Sequence, residues 1–438
     1  MNLFFSKLTG KLLSTEKMER YIAQAEAEIA RYRRVEASAE LAEYKQLQET
    51  VNSAAFRQKK QNLTQTKYKT TSCWQTLQEL KNLQKNKMLQ AYLQVKESPQ
   101  LREYLAFRAS DDYIKLSDKK LVQQSPDLKN MLHFEKSAAY KAYLAYKDSK
   151  VPTRYQELQR LVSQEEFQKE NAFWANSKRW LTTEEHVMET RLKQLQADND
   201  IMFFLSKNEK DVESKEIWTR SFADEMQWVR LSDSPWRAGF VYKNKNLKQQ
   251  HSFANEQQAN NGGRNTGSIN GTFTLLTKRE AVTAAAWDSK KGFVNKEFEY
   301  TSDIVQTAET FRQQEGLFMI KLRCTGNIHH AAWLGTDSRL PILTLFHFNG
   351  RNIVVGKTTA NGFNGTSISG ISESQYYIWS LYWTRNEMVW YVNNVEVYRT
   401  SADLPKEPLF IALSSFIDAK QRAQEGKLEV DWVRVYKQ

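Results

Sequence analysis

A chain of 438 residues is too long for one ordinary hydrophobic core, so two or three domains are expected. With 40% hydrophobic residues, 12 Trp, 19 Tyr and 22 Phe, it has ample packing material and is not a disordered chain. The formal charge of +12 suits an acidic partner such as an anionic glycan, yet Lys and Arg are interspersed with Glu, no block of five like charges occurs, and no nucleic-acid-binding motif is present.

The chain begins "MNLFFSKLTGKLLSTEKMER". Its apolar run is too short for the core of a signal peptide, and no run of 18 apolar residues follows anywhere. The expected location is therefore the cytoplasm, with export by a non-standard route or incorporation into a particle as alternatives. Cys73 and Cys324 lie far apart, without metal-ligand spacing, and are expected to be free thiols.

Of the 16 glycines, only Gly10 precedes Gly239. Long helices exclude glycine for its backbone entropy, whereas sheets need it at turns and bulges. Residues 1–206 therefore read as all-helical, residues 207–216 as a charged linker and residues 217–438 as β. The helical part carries a degenerate repeat. In "YRRVEASAELAEY" from Tyr32, "YLQVKESPQLREY" from Tyr92 and "YLAYKDSKVPTRY" from Tyr143, two tyrosines stand 12 apart with a Ser between them. Apolar spacings of three and four place these residues on one helix face. The serines have the position of N-caps: Ser98-Pro99 and Ser125-Pro126 put proline at the first helical position, and Ser163 with Glu166 forms a capping box. The pattern implies a string of short helices stacked on one another, none able to bury its face alone, a scaffold for a protein partner or for self-association. Residues 16–50 alternatively form one longer helix.

The β part alternates strand-like runs with Gly, Asn and Asp turns. Its most specific segments are "YYIWSLYWTRNEMVWYVNN", from Tyr376, and the terminal "LEVDWVRVYKQ". Both resemble the closing strands of glycoside hydrolase family 16, the laminarinase, lichenase and agarase group. Upstream, "FADEMQWVRL" resembles the family's opening strand, and "YTSDIVQTAETFRQQEGLFMIKLRCTG" is similar to its YTSGxIxT…FxYGxxExRxK run, with Met319 where that pattern has Glu. The resemblance covers about residues 217–438. It implies an antiparallel β-sandwich, the concanavalin A-like jelly roll, so that the whole chain is a multidomain α plus all-β protein.

The family's chemistry needs a nucleophilic and an acid/base carboxylate about 5–5.5 Å apart, carried by E-x-D-x-x-E on one strand. Alternation and a bulge bring those three positions to one face. In "IHHAAWLG", His329 and Trp333 occupy the positions of the family's two tryptophans. Counting on to "FNG" at Phe348–Gly350, the three acid positions fall on Ile342, Thr344 and His347. Between Leu334 and Val355 the only acid is Asp337. Ile cannot attack an anomeric carbon, and a lone His lacks a carboxylate partner. Cleavage by the family's route is therefore not expected, and no catalytic residue is assigned; only acids from elsewhere, such as Asp337 or Glu373, would restore it.

A glycan cleft lined by aromatic platforms remains. Candidates for contact with sugar are Trp333, His329, His347, Phe346 and Trp287; Trp383 and Trp390 are expected in the core. No cofactor and no metal is expected; Asp431 lies in the strand that, in the family, neighbours a structural calcium. Three readings result: a non-catalytic, lectin-like binder of a polysaccharide or oligosaccharide on a helical scaffold; a structural protein of a phage particle or secretion machine, using the jelly roll for protein contacts; and a hydrolase with displaced acids.

Overall fold

The computed structural model describes residues 1–216, 218–241 and 250–438; Ile217, the expected start of the β half, lies outside them. The chain divides into two compact units, one of Met1–Arg34 with Leu205–Gln438 and the other of Val35–Phe204. The first 34 residues, read as part of the helical half, thus pack with the sheets. The expected linker is largely the helix Glu209–Glu216.

The helical unit is a hairpin of short helices. Ala39–Asn52 packs on Glu184–Gln196, Ser72–Lys85 on Val151–Ser163 and Glu165–Ala175, Lys87–Val95 on Ala138–Tyr146, and Pro99–Arg108 on Pro126–Lys136. The repeat pattern implied short helices stacked on one another; the stacking takes the form of each segment pairing with its mirror image across the hairpin. The reason is that each helix carries one apolar stripe, such as Leu41, Tyr44, Leu47 and Val51, enough for a single seam. Cross-links between the two arms include Arg191 to Glu43 at 2.9 and 2.6 Å, Arg154 to Glu79 at 2.9 and 2.8 Å, and Asn86 to the Tyr146 hydroxyl at 3.0 Å.

N-caps punctuate both arms. Side chains of Ser38, Ser53, Thr71, Asn86, Ser98, Ser125, Ser137 and Thr183 each accept a hydrogen bond from the amide three residues on. Pro99 and Pro126 occupy the first turn as expected. The capping box at Ser163 does not form: Ser163 Oγ donates to the Arg160 carbonyl, and Gln164 stands at the helix start without a side-chain cap.

The other unit is a sandwich of two sheets, antiparallel apart from two short parallel pairings. The seven-stranded sheet runs, edge to edge, Gly362–Ile368, Ile353–Thr359, Ile342–Asn349, His329–Gly335, Phe410–Phe416, Ile304–Gln306 and Arg237–Ala238. The eleven-stranded sheet includes Tyr377–Trp383, Gly316–Thr325, Gly426–Lys437 and the long hairpin Thr272–Asp288 with Gly292–Ser302. Phe318, Leu343, Phe346, Trp379, Trp383 and Trp390 fill the space between the sheets.

The outer face of the larger sheet is covered by the N-terminal segment. Leu3 joins the core between the sheets, and the isolated bridge Asn2–Ser369 ties this segment to the edge strand Gly362–Ile368 of the smaller sheet. Met18 and Ile22 of the helix Thr15–Glu36 lie on Met319, Ile378, Trp432 and Tyr436. Glu19 accepts from Lys321 and from the Trp432 indole, both at 2.9 Å, and Glu26 accepts from the Tyr436 hydroxyl at 2.9 Å. This explains Met319 where the resemblance has Glu: its position is roofed by a helix.

Two substitutions separate the units. Ile22→Ala removes apolar contact from the sandwich and should cost about 1–2 kcal/mol, the lower part of the range for large-to-small changes because the site is only partly buried. Ser137→Ala removes an N-cap from the hairpin and should cost about 1 kcal/mol. In urea unfolding of the full chain, the first should move the tryptophan transition and the second the far-ultraviolet helical transition. Equal movement of both signals by either variant would contradict the division.

Candidate functional site

The strand Ile342–Asn349 carries the three positions aligned with the family's acids. Thr344 pairs with Gly356 and His347 with Val354, so one extra residue is accommodated between them, and the opposite ladder shifts at Ala332–Trp333. This is a bulge. Leu345 and Phe346 both turn into the core, while Ile342, Thr344 and His347 share the outer face with Trp333. The Thr344 carbonyl accepts the Trp390 indole N–H at 2.9 Å, so a side chain of the opposite sheet holds the bulge.

The bulge explains the fates of the candidates. Phe346, expected as a sugar platform, is core: it is 1% exposed, with its ring 4.9 Å from that of Trp379. Phe348, Trp379, Trp383 and Trp390 are buried as well. His347 and His329 meet on the outer face, with Nε2 of the first 2.8 Å from Nδ1 of the second; one donates and the other accepts. His329 stacks on Phe416 with centroids 4.2 Å apart. Trp287 lies away from this pair, on the Thr272–Asp288 strand, edge-on to Phe293 at 5.0 Å.

Trp333 is half-buried and donates from Nε1 to Ser414 Oγ at 3.3 Å. Its ring leans over Gly335 so closely that a Cβ there would come within 2.3 Å of Cζ3. Glycine at 335 therefore lets the indole lie along the strand, above Phe410 at 5.9 Å. Two cavities of about 190 Å³ each adjoin this ring. One is bounded by Phe240, Phe253, Ile342 and Phe410, the other by Phe240, Phe253, Glu256, Ser414 and Phe416. An aromatic run, Phe253 to His251 at 5.2 Å and His251 to Phe293 at 5.3 Å, links this wall to Trp287.

Electrostatically the site is a desolvated one. Burial pushes His347 down to about 4, and burial also lowers His329, so both rings are neutral at physiological pH. His330, on the core side, is pushed by burial to about 3; its Nε2–H donates to the Thr325 carbonyl at 3.0 Å and its Nδ1 faces Ser415 Oγ at 2.8 Å. Glu256 moves the opposite way, raised to about 7 by burial and then by the neighbouring Asp418. Residues 256 and 418 are bridge partners, so their side chains leave the same face.

Glu256 is the carboxylate that sequence reasoning missed: the run "ANEQQANNGG" resembles the family's second strand, ENxxVxDGxLxIxA, and not its acid motif, while Phe253 and Phe416 lie in segments to which no motif points. Asp337 is held by Arg312 at 2.6 Å. Glu373 lies by the other sheet, where its carbonyl accepts from the Cys324 amide at 2.8 Å. Asp431 is paired with Lys321 at 2.7 Å. Among the described residues no group of three or more His, Cys, Asp or Glu is placed to hold a metal ion. No helix among them is long and apolar enough to cross a membrane.

No protein-family model matches the chain, and no curated protein matches it. Solved structures do. A laminarinase catalytic domain from Thermotoga maritima is 18% identical with a TM-score of 0.41, covering 50% of this chain and 98% of that one. An endo-1,3-beta-glucanase catalytic domain from Thermotoga petrophila is 17% identical with a TM-score of 0.40, covering 50% and 98%. An endo-beta-1,3-glucanase from Pyrococcus furiosus is 16% identical with a TM-score of 0.40, covering 50% and 94%.

The titrations have opposite signs. The folded values of His330 and His347 lie below the ordinary 6.5, so the unfolded chain takes up protons first and stability is lost as pH falls from about 6.5 towards 4. Glu256 lies above the ordinary 4.5, so its contribution is lost as pH rises from 4.5 through about 7. Urea midpoints measured against pH should show His347→Gln flattening the acid limb and Glu256→Gln raising stability at pH 8 by ~2 kcal/mol, at about 1.4 kcal/mol per pKa unit with allowance for solvent screening.

Proposed function

We propose that the outer face of the seven-stranded sheet holds a polysaccharide or oligosaccharide and does not cleave it by the paired-carboxylate route. The observation that carries this reading is Trp333. A half-exposed indole leans over a glycine, beside two cavities, on the face where Ile342, Thr344 and His347 stand at the positions of the resembling family's acids. A flat apolar ring with polar groups around it, here Ser414, Gln258 and Asn260, suits a pyranose, which offers C–H bonds on its faces and hydroxyls at its rim. Retaining hydrolysis needs a carboxylate nucleophile, and the neutral His329–His347 pair supplies none.

A second reading is favoured by Glu256. It is a half-buried carboxyl in the Trp333 cavity, raised to about 7 as a general acid requires, beside Asp418. On that reading Glu256 would protonate the leaving oxygen while a water, giving its proton to Asp418, adds to the anomeric carbon, and slow hydrolysis would accompany binding.

The full chain is to be tested against β-glucans, galactans and anionic polysaccharides, with a reducing-end assay on each bound polymer. Binding without release is expected, weakened about tenfold or more by Trp333→Ala, at ~1.4 kcal/mol per decade. Gly335→Ala should weaken it similarly, because the new methyl displaces the indole. Release that disappears in Glu256→Gln would establish the second reading. Absence of binding to every polymer would leave protein assembly as the role.

A further inference from the structure

Beyond His329 the same face opens into a cleft of about 1170 Å³, whose lining differs from the Trp333 cavities. Its lining is rich in amides and cations, Asn327, Asn352, Gln424, Arg351, Lys420 and Arg422, and includes two carboxylates, Asp418 and Glu425. Among the described residues, neither the two guanidinium groups nor the Lys420 ammonium has an ion-pair partner. The carboxylates at the rim are engaged by backbone: Asp418 Oδ1 accepts from the Lys420 amide at 2.9 Å, and Glu425 Oε1 accepts from the Arg279 amide at 3.1 Å.

The backbone that presents these cations is tied down. Asn349 Oδ1 accepts from the amides of Arg351 and Asn352 at 3.1 and 2.8 Å. Gln421 Nε2 donates to the Asn349 carbonyl at 2.8 Å, which joins this turn to residues 418–425. Gln257 Nε2 donates to the carbonyls of Asp418 and Gln421 at 2.7 and 2.8 Å. Gly350 stands at φ +85°, where a Cβ would come within 2.7 Å of the Asn327 carbonyl oxygen. The backbone at Arg351 and Lys420 is thus fixed beside an amide-lined floor, with the side chains of Arg351, Lys420 and Arg422 exposed above it.

From this arrangement we infer that the cleft beside His329 is a subsite for an acidic polysaccharide, with Arg351, Lys420 and Arg422 contacting sulfate or carboxylate groups and the amides contacting hydroxyls. The inference rests on the reading that the Trp333 face holds a glycan, and names its class. Guanidinium forks match sulfate and carboxylate oxygens in pairs, and Lys adds a point charge. A nucleic acid has the charge but lacks its second requirement here. Among the described residues the aromatic side chains lining the cleft are Tyr300 and His329, and the His329 ring is already stacked on Phe416, so at most one ring is left for bases and no run of stacking platforms exists.

The experiment compares polymers of matched backbone on the full chain: laminarin sulfate against laminarin, and polygalacturonate against its methyl ester. The acidic member of at least one pair should bind tenfold or more tightly at low salt, with the advantage shrinking as NaCl is raised. Which pair responds identifies sulfate or carboxylate. The triple variant Arg351→Ala, Lys420→Ala, Arg422→Ala should reduce the acidic polymer to the level of its neutral counterpart, whereas Trp333→Ala should weaken both. Lys119→Ala, Lys120→Ala, Lys129→Ala in the helical unit controls for loss of charge and should leave the preference intact. Equal binding of acidic and neutral members overturns this inference and leaves the glycan reading standing. No binding of any polymer overturns both. Equal loss in the control triple, or single-stranded DNA bound as tightly as the acidic polymer, overturns the assignment to this cleft.

Discussion

The hydrogen bond from the Trp390 indole to the Thr344 carbonyl organises the sheet face that carries Ile342, Thr344 and His347. A strand with regular alternation would place residues 343, 345 and 347 on one side. Accommodating one extra residue leaves a carbonyl without its ladder partner, and an unpaired carbonyl between two sheets is unfavourable unless something donates to it. Trp390 does so from the opposite sheet while filling the core with the rest of its ring. Two consecutive side chains, Leu345 and Phe346, turn inward as a result, and His347 is returned to the outer face beside His329.

The same geometry explains which parts of the site were legible in the sequence. The positions of Ile342, Thr344 and His347 on one face follow from strand periodicity with a bulge, and their chemical poverty follows from their identities. Phe346 was not legible, because its direction depends on which residue absorbs the irregularity. That choice is made by the opposite sheet and by a tryptophan 44 positions later in the chain. Glu256 and Phe416 were hidden for another reason. They reach the site through pairing between distant segments, and a single carboxylate between glutamine and asparagine carries no periodic signal. The strands themselves, rich in β-branched and aromatic residues between glycine turns, announced the sandwich well.

In the helical unit, local chemistry was readable and partnership was not. Ser, Thr and Asn before an apolar residue three positions on identify helix starts, since each side chain captures one orphan amide. Frequent restarts also have a packing consequence. The apolar stripe of a continuous helix drifts around its axis relative to a straight partner. Interrupting the helix at Ser38, Ser53, Thr71, Asn86 and Ser98 resets the stripe, returning Tyr44, Phe56 and Tyr104 to the buried seam. Nothing in this pattern says whether the partner is the next segment or one a hundred residues away. Here the seams join segments that the hairpin brings together, as at Leu41 with Leu192.

The allegiance of residues 1–34 gives the chain an unusual order of completion during synthesis. Their resting place includes Trp432 and Tyr436, on the strand Gly426–Lys437, so they are made well before the surface on which they pack. The hairpin of residues 35–204 contains its own seams and can close while the sheets are still unmade. At about 5–20 residues per second, the leading segment waits tens of seconds, with Met18 and Ile22 exposed, for a surface that does not yet exist. The sandwich therefore cannot be completed before the strand Gly426–Lys437 exists, and the docking of Met18 and Ile22 on it joins two segments from opposite ends of the sequence.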